Sequence, residues 1–236
     1  MVGRPRRDQA RADLGGEIKR AARQQMADHG TAGLSLRAIA RALGITAPAI
    51  YHYFHRLDDL LTALIVDAYT ALAETMEDAV AAAATPRGRF LAAALAYRDW
   101  ALAHPVEFEL IYGNPIPGYV APAEVTTPLA RRPFFVLGEV FVRGWAEGAI
   151  RLPFAPADLP ASVVRHLESW RDSDGEGVPV APFYALITGW TQVHGMVMLE
   201  LFNHLRPVVG DPDAFYRHQV ATFLDQLGFT QDDAPH

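Results

Sequence analysis

The sequence predicts an all-α protein: an N-terminal three-helix head followed by a larger helical body. Apolar residues recur at spacings of three and four along most of the 236 residues, as one buried face of an α-helix requires. No run of alternating β-branched residues suggests a strand. Proline and glycine gather in a few stretches that read as connections, chiefly 113–122 and 153–160.

The first helix is expected over about 17–29, with Ile18, Ala21, Ala22 and Met26 on one face and Gly30 as a left-handed stop. Ser35 is a good N-cap for the second. In it Leu36, Ile39, Ala40 and Leu43 follow the i, i+3, i+4, i+7 pattern, and Gly44 ends it. The third is short, entered through Thr46 with Pro48 in its first turn, where proline is tolerated. It turns Ile50 and Phe54 inward. A long fourth helix begins near Leu57, its stripe formed by Leu57, Leu60, Leu61, Leu64 and Ala68. Asp58 and Asp59 suit the positive end of its dipole. Helical stretches follow at about 88–104 and 105–112, then a Pro/Gly loop over 113–122 and a long helix to about 150. A connection marked by Pro153, Pro156 and Pro160 leads to a weak helix at 161–171 and an acidic loop at 173–177. Two helices, about 180–205 and 212–227, close the chain. The division expected is a basic arm and head over 1–56 and a body over 57–236, with no internal repeat and no linker.

Half of the residues are apolar and a fifth charged, ordinary for a globular protein with a real core. Cysteine is absent, which excludes a disulfide framework, a thiolate metal site and a cysteine nucleophile, and suits a reducing interior. The charged start MVGRPRRDQARADL lacks the apolar run of an export signal, so a cytoplasmic location is expected. Residues 177–199 carry no formal charge and are long enough to span a bilayer. They contain Pro179, Pro182, Gln192 and His194, and are bounded by Glu176 and Glu200 without basic flanks, so a buried helix is expected and no membrane partner. There is no glycine-rich phosphate loop, no G-x-S-x-G and no H-E-x-x-H, and the histidines are scattered. Neither an enzyme, a metal nor a cofactor is expected.

Charge is divided unevenly. Residues 1–57 hold ten basic and four acidic side chains, and the remaining 179 hold eleven and 23. A basic head on an acidic body is the map expected where only the head meets a polyanion.

The segment 34–61, LSLRAIARALGITAPAIYHYFHRLDDLL, joins two short amphipathic helices by a Gly-Ile-Thr turn. In such a helix-turn-helix the first helix crosses the DNA backbone and the second enters the major groove. Candidate contacts are Thr46, Ala47, Pro48, Ala49, Tyr51, His52 and Tyr53, although Tyr51 and Tyr53 could also be packing residues. Arg37 suits a phosphate; Ser35 reads as a cap or as a contact. The third helix lacks Arg, Lys, Asn and Gln, the strongest base readers, so readout is expected to lean on thymine methyls and DNA shape. Gly3 to Arg7 reads as a flexible basic arm whose Arg4 and Arg6 either enter a minor groove or only solvate the tail.

At these residues the chain resembles the tetracycline-repressor (TetR) family. The likeness spans about residues 17–65 and rests on the apolar-Ala-x-x-Leu-Gly-Ile-Thr run, followed by the Ile-Tyr-x-Tyr-Phe block opening into a long helix. It implies a homodimer, an operator in double-stranded DNA held by the head, and a divergent body that takes a small, largely apolar effector. The family commonly has lysine, suited to a phosphate, where this chain has Leu57; Arg56 and His55 stand beside it as substitutes. Trp190-x-x-x-His194-Gly195 also resembles a C-terminal domain found in a subset of these regulators.

The 180–205 helix is apolar nearly all round and needs covering on more than one face. Its own core on one side and a twin subunit on the other would do this, with Gly189 and Gly195 allowing close approach. Val193, Val197 and Leu201 would then meet Phe215, Phe223 and Leu227 of the last helix at a four-helix interface. Tyr97, Trp100, Phe108, Tyr112, Phe134, Phe141 and Trp145 read as plain core or, as a group, as an effector pocket. Trp190 and His194 are further candidates, His194 bonding either a ligand or a backbone carbonyl. The reading reached is a regulator, most simply a repressor, on a pseudo-palindromic operator. Its rivals are an architectural or partner-binding protein without an effector, and an all-helical enzyme.

Overall fold

The computed structural model of the chain describes residues 4–174 and 179–229, and among these every regular element is helical. The helices are α1 (Arg4–His29), α2 (Leu36–Ala42), α3 (Ala47–Tyr53), α4 (Leu57–Ala82), α5 (Pro86–Ala103), α6 (Pro105–Tyr112), α7 (Ala123–Ala146), α8 (Ala161–Asp174), α9 (Val180–Leu201), α10 (Arg206–Val209) and α11 (Pro212–Gln226). The chain divides into two compact units, and both are discontinuous: residues 1–70 with 104–130, and residues 71–103 with 131–236. The boundary expected at 56/57 falls inside the first unit, at the start of α4. Passing from one unit to the other, the chain crosses three times, twice within a continuous helix (α4 and α7) and once between α5 and α6.

In the first unit, Ile18, Ala22 and Met26 of α1 meet Leu36 and Ile39 of α2, Ile50 of α3, and Leu60, Leu61 and Leu64 of α4. Leu110 of α6 is buried in the same core. Polar links tie these elements together. Lys19 Nζ lies 2.8 Å and Arg23 Nη2 3.3 Å from the carboxylate of Asp67 on α4, while Arg23 Nε reaches Glu107 of α6 at 3.0 Å. Tyr69 Oη donates to the Ile111 carbonyl at 3.0 Å, and burial pushes its pKa up. Thr62 Oγ1 and Tyr119 Oη are 2.9 Å apart.

The first helix departs from expectation: its backbone is helical from Arg4, thirteen residues earlier than 17. Pro5 sits in the opening turn, where its missing N–H costs nothing, and the Arg, Gln and Ala residues that follow are good helix formers. The flexible arm expected at Gly3 to Arg7 is therefore corrected from Arg4 onward.

In the second unit α9 packs on α5, α8 and α11. Phe90 is fully buried among Phe141, Phe223 and Phe229, at ring-centroid distances of 6.3, 6.0 and 6.3 Å. The same unit holds a partly buried ion cluster. The Arg98 guanidinium of α5 makes two bonds of 2.7 Å to Glu200 of α9 and one of 2.7 Å to Asp213 of α11. It also stands 5.4 Å over the Tyr216 ring, whose hydroxyl donates to the Ala94 carbonyl at 2.6 Å. A buried charge is tolerable only when its donors are met like this. The bond to Glu200 raises the Arg98 pKa. Among the described residues no helix is long and apolar enough to cross a membrane, and no cluster of His, Asp and Glu could hold a metal.

Candidate functional site

The helix-turn-helix forms where local chemistry places it. Ser35 has extended backbone and its Oγ accepts the Ala38 N–H, as an N-cap does. Gly44, at φ +65°, makes the left-handed reversal between α2 and α3, a conformation that would strain any residue with a Cβ. Thr46 precedes α3 with extended backbone and no capping bond from its side chain, and Pro48 lies in the first turn. Ile50 is completely buried and anchors α3 to α1, α2 and α4. The opposite side of α3 is open: Thr46, Ala47, Pro48, His52 and, at 37 % exposure, Tyr51 all face solvent. Ala49 is half-buried.

Tyr53 points the other way. It is half-buried against the core of the first unit, with its ring edge-on to His52 at 5.8 Å. Arg37 and Arg41 are exposed on α2. Arg56 is exposed too, but its guanidinium pairs with Asp58 at 2.6 Å and its N–H donates to Asp59. Leu57, at the position of the family's lysine, packs its side chain against the core. Arg4 and Arg6 stand on the first turns of α1, and their side chains lie outside the described residues.

The aromatic candidates fall into separate groups. In the first unit Tyr112 packs edge-on to Tyr69 at 5.8 Å and against Phe108 at 5.0 Å. In the second unit Phe141 belongs to the Phe90 cluster. Trp100 is buried in α5, and Trp145 is half-buried at the end of α7. The structure brings Tyr97, Trp190 and His194 together with Phe134, another member of the aromatic group that the sequence offered as core or pocket. Tyr97 Oη and His194 Nδ1 are 2.7 Å apart, so one ring nitrogen of His194 meets a buried hydroxyl. The Trp190 ring stacks on His194 at 5.5 Å and meets Tyr97 and Phe134 edge-on at 5.2 and 6.1 Å. Burial lowers the His194 pKa below the ordinary imidazole value.

Four of the six residues expected at a subunit interface are corrected. Val193, Val197, Phe223 and Leu227 are 3, 0, 8 and 3 % exposed, taken up by the core of the second unit itself. Gly189 admits not a twin subunit but Phe223 of the same chain: a Cβ there would lie 2.6 Å from the ring. Leu201 and Phe215 are half-buried. The outer side of α9 carries Thr188, Thr191, Leu199 and Phe202, the last two 47 and 51 % exposed. Sequence pattern could not separate these faces because both are largely apolar.

An all-helical chain with an exposed recognition helix at its N-terminal end defines the class of helix-turn-helix DNA-binding regulators. Residues 18–64 match the family described as bacterial regulatory proteins of the tetR family, and residues 90–223 match the tetracyclin repressor-like C-terminal domain. The HTH-type transcriptional regulator Rv1816 of Mycobacterium tuberculosis is 38 % identical over 228 residues, covering 94 % of this chain and 95 % of that protein. The crystal structure of SCO4313 is similar at 30 % identity with a TM-score of 0.77, over 92 % of this chain and 98 % of that one. The TetR family transcriptional regulator PfmR from Thermus thermophilus shares the fold, with a TM-score of 0.60 at 19 % identity over 89 % and 98 % of the two chains. This chain belongs to the TetR family: it is a transcriptional regulator with a DNA-binding helix-turn-helix domain, not an enzyme.

Proposed function

We propose that the chain acts in the cytoplasm as a ligand-responsive repressor, a homodimer gripping a pseudo-palindromic operator with two heads. The observation that carries this reading is the two-sidedness of α3, with Ile50 sealed behind and Thr46, Ala47, Pro48, Tyr51 and His52 open in front. A helix so presented fits a major groove. Ala47 and Pro48 offer apolar contact to thymine methyls, while Tyr51 and His52 offer groups that reach base edges or phosphates. Arg37 is the phosphate partner on α2. Arg56, held by Asp58, is the weaker candidate of the two.

For the effector we favour Tyr97, Trp190, His194 and Phe134 in the second unit. Their rings supply apolar surface, and the uncharged Tyr97–His194 pair supplies a hydrogen-bonding group, the composition of a site for a small, largely apolar molecule. For the dimer we favour the outer side of α9, where Leu199 and Phe202 are exposed and a Cβ at Gly195 would meet nothing within 4 Å in the subunit.

Selection of binding sites from a random duplex library with the full-length chain, followed by gel shifts on the winners, tests the reading. The expected result is a two-fold symmetric consensus whose binding weakens steeply with salt. A panel of small apolar compounds should include some that raise the melting temperature and release the DNA. Absence of any sequence-selective shift, with or without those compounds, would refute the assignment.

A further inference from the structure

We propose that Gln25, near the C-terminal end of α1, is a positioning residue for DNA binding, acting through the first turn of α2. Its side-chain Oε1 accepts the backbone N–H of Ser35 at 2.8 Å, in a partly buried setting. Ser35 is the residue from which α2 springs, and Arg37 follows two places later, exposed on the opening turn.

Relative strength makes Gln25 the controlling contact. α2 has seven residues, too few to hold itself together by propagation. The capping bond of Ser35 to Ala38 N is 3.4 Å long, well beyond the usual N–H···O distance, and therefore weak. The bond from Gln25 is short and fixes the Ser35 peptide to the scaffold helix, and with it the direction in which the first turn leaves. Without it Ser35 turns its N–H to water, the turn frays, and Arg37 loses its fixed aim.

This inference rests on the reading of Arg37 as a phosphate contact, and a double-mutant cycle separates the two. The probe is a duplex selected from a random library with the wild-type chain, and the readouts are dissociation constant and salt slope for Gln25→Met, Arg37→Ala and the pair. Met keeps the length of Gln and removes the acceptor. Each single change is expected to weaken binding roughly tenfold, the scale of one lost side-chain hydrogen bond in each of two heads. Each should also flatten the slope of log K against log salt by about 2, one phosphate per head. The pair should be little worse than either single change, because both remove the same contact. Hydrogen exchange of the 34–38 amides should rise in Gln25→Met, and Gln25→Glu, which keeps an acceptor, should keep them protected. If Arg37→Ala binds like wild type, the phosphate reading fails and the inference with it. If Arg37→Ala weakens binding but the two effects simply add, or Gln25→Met leaves slope and affinity intact, the positioning role alone is overturned. Gln25→Glu losing amide protection as Gln25→Met does would overturn it as well.

Discussion

Replacing Gly189 by alanine sets two effects of known sign against each other. Alanine is favoured over glycine inside a helix by about 1 kcal/mol, so on propensity alone the variant should be more stable. At position 189, however, the new methyl would lie 2.6 Å from both Cε1 and Cζ of Phe223. Carbon atoms in good contact stand about 3.5–4.0 Å apart, so ring and helix must separate by roughly 1 Å. The ring has little room to retreat, being 8 % exposed and packed at a tilt against Phe90 at 6.0 Å. Overpacking of this kind costs about 1–3 kcal/mol. The clash therefore wins, leaving a net loss of about 1 kcal/mol and a melting temperature lower by about 2–4 °C. Gly16→Ala is the control, since α1 offers its methyl nothing within 4 Å, and it should raise the melting temperature by a similar amount. Thermal unfolding followed by circular dichroism decides. A Gly189→Ala variant as stabilised as Gly16→Ala would mean that α9 and α11 do not pack as described.

Tyr51→Ala with His52→Ala should lower the melting temperature by no more than about 2–4 °C, since both side chains reach solvent, while weakening operator binding at least tenfold in a gel shift. Leu199→Glu with Phe202→Glu should shift the mass in light scattering from dimer toward monomer, because two like charges per subunit would meet across a twofold axis. Arg98→Met strands the Glu200 carboxylate at 11 % exposure and should cost about 3–5 kcal/mol in chemical unfolding. His194 takes up a proton less readily folded than unfolded, so stability should fall as pH drops through about 6.5, where the unfolded imidazole charges first. His194→Gln should flatten that fall in melting curves between pH 8 and 5.

Legibility in the sequence followed the range of the interactions. α2, the turn and α3 were readable because their determinants are local: Ser35, Gly44, Pro48 and the spacing of Leu36, Ile39 and Ile50. The same holds for α4, whose leucine stripe leaves no ambiguity. The inner and outer faces of α9 were not readable, because an all-round apolar helix does not say which neighbour covers which side. The tie between Arg98 and its acids joins residues 102 and 115 apart, with nothing in the pattern to announce it. Tyr97 and His194 were both singled out, but that they meet is a fact of packing. The early start of α1 was missed because proline, arginine and glycine near a terminus read as a tail.

The discontinuity of the first unit bears on how the protein can be taken apart. A fragment ending after the recognition helix, or even after Thr70, would lack Leu110, the Ile111 carbonyl that receives Tyr69 and the Glu107 carboxylate that meets Arg23 Nε. No single cut of the chain liberates the first unit, which carries the helix-turn-helix, intact. Swapping heads between relatives at the start of α4 would import half of a core and leave its complement behind, so chimaeras should be joined with 104–130 carried over from the same parent.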